Sequence, residues 1–378
     1  MAKSPLILAA LAKAAVPNIN FHQVKSLSAG GTGAFDTALL TATTGEHYVV
    51  RVANNQAAGA ELEVELRALK ALTQNGRQAL PFEVTNLVGE TKDESGSRVL
   101  VFSFVYGNPV EISAVGADTA LSTSIGKAIA AIHNLDRHLI EEAHLAEYDA
   151  AEIVRNRTAE LDRLASTGKI PAVLLSRWEN ALEDVSLFRF QPTVVHGDLN
   201  TETVLALDES VSGILGWSSL KISDPAEDFA WILGTGIHEL SDSILDVYRQ
   251  HHPVVDAGLR QRATLYSEIE LARWLMHGLN KNDQEIIDDA SSLLAVLADD
   301  VSTGAVGRLV ASATTITTIT YEEAVVAPVF EAESVIEVET ISADEDEELE
   351  IIDLAKDEYV DDATKPIELP EKTDNELF

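Results

Sequence analysis

Residues 194–233 read VVHGDLNTETVLALDESVSGILGWSSLKISDPAEDFAWIL and form the densest polar cluster of the chain. Two short apolar runs flank the polar residues between positions 193 and 214, which predicts a hairpin at this point. On both sides, from about 110 to about 305, the periodic segments read as helices; SIGKAIAAIHNLD and SEIELARWLMHGL are two of them.

Further toward the N-terminus the pattern changes to strands. FHQVKSLSAGGTGAFDTALLTATTGEHYVVRVA offers a strand, a Gly-rich turn, a second strand, a turn at residues 43–46 and a third strand at 47–52. AELEVELRALKAL then carries leucines at helical spacing, at Leu62, Leu66, Leu69 and Leu72. After a loop containing Pro81, the apolar run 99–105 reads as a strand ended by Tyr106, Gly107, Asn108 and Pro109. A β-rich front joined by a short connection to a helical back predicts two lobes with a cleft, the usual place for a small ligand.

The polar cluster resembles the catalytic loop of the aminoglycoside and macrolide phosphotransferases, relatives of the choline kinases within the protein-kinase-like fold. That family writes HGDLHPGNIL and, about a dozen residues later, GVIDW followed by GDPAxDLA. His196, Gly197, Asp198 and Leu199 stand in the first motif; Trp217, Asp224, Pro225, Asp228, Phe229 and Ala230 stand in the second, with no gap in the spacing. The resemblance covers residues 5 to about 300. It implies an α+β, two-lobed protein-kinase-like fold, with a front lobe at 1–107 and a helical back lobe at 108–310.

Phosphoryl transfer asks for an Asp that orients the attacking hydroxyl, and for a loop Asn and a second Asp that hold the metal ions bridging the nucleotide phosphates. Asp198 takes the first position. Where the family has its Asn this chain has Thr203, and where it has the metal-binding Asp this chain has Gly216. Magnesium prefers anionic oxygens in near-octahedral order, so a neutral hydroxyl and a missing side chain leave its binding in doubt. No metal ligand is assigned. Glu202, Asp208 and Asp224 are the nearby acids to be weighed as substitutes. Asp198 is either the catalytic base or a structural remnant, while His196 and Asp228 read as supports of the loop.

In the front lobe Gly30, Gly31 and Gly33 lie between two strands, where bare backbone amides can approach phosphates; an ordinary hairpin explains them equally well. Arg51, in YVVRVA, resembles the family's strand cation that reaches those phosphates. On a helical wheel counted from Leu62, Glu65 falls near 300 degrees, inside the leucine arc, and Glu63 near 100 degrees, outside it. A carboxylate inside an apolar arc wants a cationic partner, and Arg51 is that partner by resemblance. The segment 99–109 resembles the inter-lobe strand whose backbone meets an adenine edge. Trp274 and His277 lie in a helix that resembles one near the family's acceptor pocket, and the residue types there predict core.

The chain has 378 residues, with 62 acidic and 27 basic side chains and a net charge of -35. Such a balance opposes sequence-independent attraction to nucleic acid or anionic lipid. The absence of cysteine removes thiolate chemistry and fits a cytoplasmic protein. The opening MAKSPLILAALAKAAVP reads as a short amphipathic helix, with a signal peptide as the alternative. Residues 321–378 hold 21 acidic and 3 basic side chains, and 311–378 reads as a disordered acidic tail after a Thr-rich stretch. That tail either solvates the chain or presents a linear segment to a basic protein partner.

Three functions therefore compete. The first is a pseudokinase-like binding or regulatory module that takes ATP or GTP weakly, with magnesium in doubt. The second is an active ATP- or GTP-dependent O-phosphotransferase acting on a small-molecule hydroxyl. The third is a scaffold that works through its tail.

Overall fold

The computed structural model describes residues 3–27 and 33–310. The tail and the glycines at 30 and 31 lie outside the described residues.

Ser4 caps helix α1 (Pro5–Ala15), with proline at the first turn where its missing N–H costs nothing. Strands β1 (Phe21–Ser26), β2 (Phe35–Ala42) and β3 (His47–Ala53) form an antiparallel meander, followed by α2 (Gln56–Ala71) and the short α3 (Gln74–Gln78). Then come β4 (Leu87–Lys92) and β5 (Arg98–Ser103), and the sheet order is β1-β2-β3-β5-β4. Strand alternation decides what each face of this sheet does. Val50, Val52, Val99 and Val101 point to one face and bury against Leu8 and Ala12 of α1. Leu100 and Phe102 point to the other and join the main core with Leu62, Leu66 and Leu69 of α2. Arg51 lies between Val50 and Val52 and so faces α2.

The sequence reading missed β4. The stretch LVGETK is interrupted by Gly89 and ends in charge, and its residues alternate between half-buried and exposed because it is an edge strand.

A two-residue strand β6 (Asn108–Pro109) leads into the back lobe. There follow α4 (Ala120–His133), α5 (His138–Glu142), α6 (Ala150–Ala165) and α7 (Ala172–Glu183). The polar cluster folds as short strands β7 (Thr193–Val195), β8 (Val204–Leu207), β9 (Ser210–Ile214) and β10 (Lys221–Ser223). The described residues close with α8 (Ala230–Leu233), α9 (His238–His251), α10 (Leu259–Lys281) and α11 (Gln284–Thr303). One correction concerns the hairpin: it is β8–β9, whereas the first apolar run, β7, pairs with β10. The catalytic-type loop is thereby suspended between two small sheets. Among the described residues no helix is long and apolar enough to cross a membrane.

Candidate active site

Asp228 organises the loop. It is fully buried, accepts the His196 and Gly197 amides at 2.8 and 2.7 Å, and meets His133 Nε2 at 3.1 Å. Burial alone would raise its pKa, but the His133 hydrogen bond and the Gly197 amide hold it below the usual carboxylate value. His133, at the end of α4, has its second ring nitrogen 2.8 Å from Tyr248 Oη. Sequence reading passed over His133, which has no local signal; only the fold brings it to Asp228.

Gly197 has φ +80°, and a Cβ there would stand 2.7 Å from the Ser219 carbonyl and 2.9 Å from Lys221 Nζ. Only glycine fits that corner, and the corner turns Asp198 outward. His196 is buried with Nε2 2.9 Å from the Leu215 carbonyl, while its Nδ1 accepts the Asp198 amide at 3.3 Å. Burial lowers its pKa, which suits a neutral, structural imidazole.

The Asp198 carboxyl reaches solvent but is crowded by protein. This partial burial raises its pKa; Asn200 Nδ2, 3.3 Å from Oδ1, pulls it down, the Glu270 and Asp228 charges push it up, and Lys221 offsets them. Asn200, Glu270 and Lys221 are neighbours that the sequence reading did not single out. Asn200 had a signal, an amide two residues after Asp198; the other two arrive from β10 and α10.

The two positions where the family holds metal stand together. Gly216 is left-handed, at φ 76° and ψ 49°, and a Cβ on it would lie 3.2 Å from Thr203 Cγ2. Thr203 Oγ1 accepts the Asn200 amide at 2.9 Å and lies 3.2 Å from the Asp198 and Asn200 carbonyls. Asn200 Oδ1 is occupied by the Glu202 and Thr203 amides. Of the substitutes weighed above, Asp208 sits at φ 50° in the β8–β9 turn, Glu202 is exposed, and Asp224 is buried against Arg262. Among the described residues no group of three or more His, Asp or Glu side chains is arranged to hold a metal ion.

Arg51 Nη1 meets Glu65 Oε2 at 2.8 Å, and the guanidinium lies over the Phe35 ring, 4.3 Å from its centroid. Glu65 is buried; its burial raises the carboxyl pKa more than Arg51 lowers it. Glu63 faces solvent and pairs with Arg98 instead. Gly33 has φ +63°. Helix α2 also packs on the 3-10 turn Trp217–Ser219 that follows Gly216, so the front-lobe helix touches the back-lobe segment that carries Gly216.

The pair carries a prediction. Glu65→Ala should destabilise the fold by about 3 kcal/mol, the low end for breaking a buried pair, because Arg51 keeps some solvent; Glu63→Ala should cost under about 1 kcal/mol. Urea unfolding of both variants checks this, and equal losses would remove the pair as a structural element.

Trp274 corrects another expectation. It is 39% exposed, stacks on His277 with ring centroids 5.4 Å apart and bonds Asp289 of α11 at 2.9 Å, so it is not core.

Residues 28–266 match the family model described as the phosphotransferase enzyme family. The chain belongs to that family. Solved phosphotransferases share its fold: a macrolide 2'-phosphotransferase type I has a TM-score of 0.64 at 21% identity, over 78% of this chain and 98% of that one. The macrolide 2'-phosphotransferase MphH from Brachybacterium faecium gives 0.64 at 18%, over 77% and 97%. A GDP complex of wild-type aminoglycoside 2'-phosphotransferase-IIIa gives 0.64 at 17%, over 79% and 100%. No curated protein matched the chain. The two-lobed kinase-like fold expected from the sequence is thus the fold of this chain.

Proposed function

We propose that this phosphotransferase relative binds nucleotide weakly, without magnesium, and transfers phosphate poorly or not at all, serving as a binding or regulatory module. The observation that carries this reading is Gly216, a left-handed glycine with no side chain, beside a Thr203 hydroxyl already engaged by the loop backbone. Magnesium does not fit this donor set. In the family's chemistry the metal supplies several kcal/mol of charge stabilisation, and each 1.36 kcal/mol is tenfold in rate, so about two to four decades are lost.

What remains suits a nucleotide. The Arg51–Glu65 pair orients one cation on the face of the front sheet that meets α2. Similar solved phosphotransferases hold GDP, ADP or ATP, and kanamycin, gentamicin or streptomycin. These support ATP or GTP and a small hydroxyl compound as the ligand classes to test.

A second reading, an active small-molecule O-phosphotransferase, is favoured by Asp198 alone. Its carboxyl reaches solvent, and partial burial, with the Glu270 and Asp228 charges, raises its pKa above the ordinary carboxylate value.

Calorimetric titration of ATP and of GTP, with and without magnesium, separates the two. The expected result is weak binding that magnesium leaves unchanged. Tight binding that EDTA abolishes would establish an occupied metal site and put the active enzyme first.

A further inference from the structure

A cavity of about 380 Å³ opens where the chain enters the back lobe. Its walls come from β6, from residues 111–119 ahead of α4, and from the tip of the β8–β9 hairpin. The floor is apolar: Val110 is buried, and Val115, Leu121 and Ala206 are partly buried against the main core. Strand β8 brings the chain from Thr203 to this tip and β9 returns it toward Gly216, so the cavity lies at the far end of the hairpin from the catalytic-type loop.

Two carboxylates line it, Glu111 and Glu209, and none of its described lining residues is basic. Both side chains are exposed, and neither has an ion-pair or hydrogen-bond partner among the described residues. The stretches that build the walls carry the same sign: 108–121 adds Asp118, 204–214 adds Asp208, and neither holds a Lys, Arg or His. Other glutamates of this lobe are matched, Glu147 by Arg137, Glu160 by Arg273, Glu227 by Lys221 and Glu268 by Arg177. Here negative charge stands uncompensated beside an apolar surface.

That combination selects among ligands. An anion meets like charge on every wall. A bare metal ion finds too few ligands, since among the described residues no group of three or more His, Asp or Glu side chains is arranged to hold one. An organic cation answers both features: its charge lies against the carboxylates, and its hydrocarbon body takes the apolar floor out of water. The volume falls in the range of small-ligand pockets.

We propose that this cavity binds a small organic cation, an ammonium group on an aliphatic body, held by Glu111 and Glu209. The site needs neither nucleotide nor metal, and it stands or falls apart from the reading of the cleft.

The test is a chemical-shift titration of the full chain at neutral pH and constant ionic strength. Hexylammonium chloride is the probe, with ammonium chloride as the charge-only control and 1-hexanol as the apolar-only control. Hexylammonium should saturate, with the largest shifts at amides of 108–121 and 206–210, and bind about tenfold tighter than either control. Glu111→Gln and Glu209→Gln should each weaken it about threefold, and the double variant about tenfold. Glu239→Gln, an exposed acid on α9, should leave it unchanged. Absence of saturation would overturn the proposal. So would ammonium binding as tightly as hexylammonium, which would show only counterion attraction to a chain of net charge -35. Unchanged affinity in both single variants would overturn it as well.

Discussion

Asp224→Ala should cost the fold about 3 to 5 kcal/mol, the range for leaving one partner of a buried pair uncompensated. Asp224 and Arg262 are both fully buried, joined by two contacts of 2.7 and 3.0 Å. Tyr266 Oη donates to the same carboxylate at 2.6 Å, and the Ala226 amide does so at 2.9 Å, capping the 3-10 turn Pro225–Phe229. Arg262 retains Asp256 at 2.6 Å, the Leu187 carbonyl at 2.8 Å and the Phe190 ring at 4.1 Å. In the wild type the Asp224 charge, with hydrogen bonds to Asp256 and Asp224, outweighs burial and holds the Arg262 pKa above its ordinary value; without Asp224 the guanidinium still cannot escape by losing its proton. Asp224→Asn, which keeps one oxygen for either the Ala226 amide or the Tyr266 hydroxyl but removes the charge, should fall between wild type and alanine. Urea unfolding provides the measurement. A loss under about 1 kcal/mol for alanine would mean that the network adds little and that Asp224 is free for another task.

This network also explains which parts of the site could be read from the chain. The motif spacing located Asp198, Asp224 and Asp228 because all three belong to one local segment whose loop geometry is fixed by its own residues. Glu65 was legible for a different reason. Helical periodicity alone places it among Leu62, Leu66 and Leu69, all of them buried, and burial of a carboxylate demands a partner. Long-range partners carry no such signature. His133 reaches Asp228 across 95 positions and Arg262 reaches Asp224 across 38, and nothing in either local pattern names the other end. The three-residue strands β7 and β10 are too short for alternation to show, so their pairing, which brings Lys221 to Gly197, could not be anticipated. Trp274 was misread because an apolar ring on a helix usually turns inward; here Asp289 supplies a hydrogen bond and His277 a stacking surface at the exterior.

Restoring both metal positions, Thr203→Asn with Gly216→Asp, should give nucleotide binding that magnesium strengthens by about tenfold or more, equivalent to about 1.4 kcal/mol. Neither change alone should suffice, since the two ions bridge the same phosphates and each ligand positions the other's ion. The backbone works against the second change: Gly216 has φ 76°, and an Asp there carries strain of about 1 kcal/mol, less than a branched residue would because Asp tolerates the left-handed region. Its Cβ would press on Thr203 Cγ2 at 3.2 Å, and Thr203→Asn removes that branch methyl, so the substitutions should be less destabilising together than the sum of the singles. The remaining parts stand ready, with Asp198 turned outward by Gly197 and Arg51 held by Glu65. Calorimetry with and without magnesium, on a double variant first shown by unfolding to be folded, decides the matter. If that variant binds nucleotide no better with the metal, the cleft has lost more than two ligands. Nucleotide would then no longer be its ligand, and the scaffold reading would be preferred.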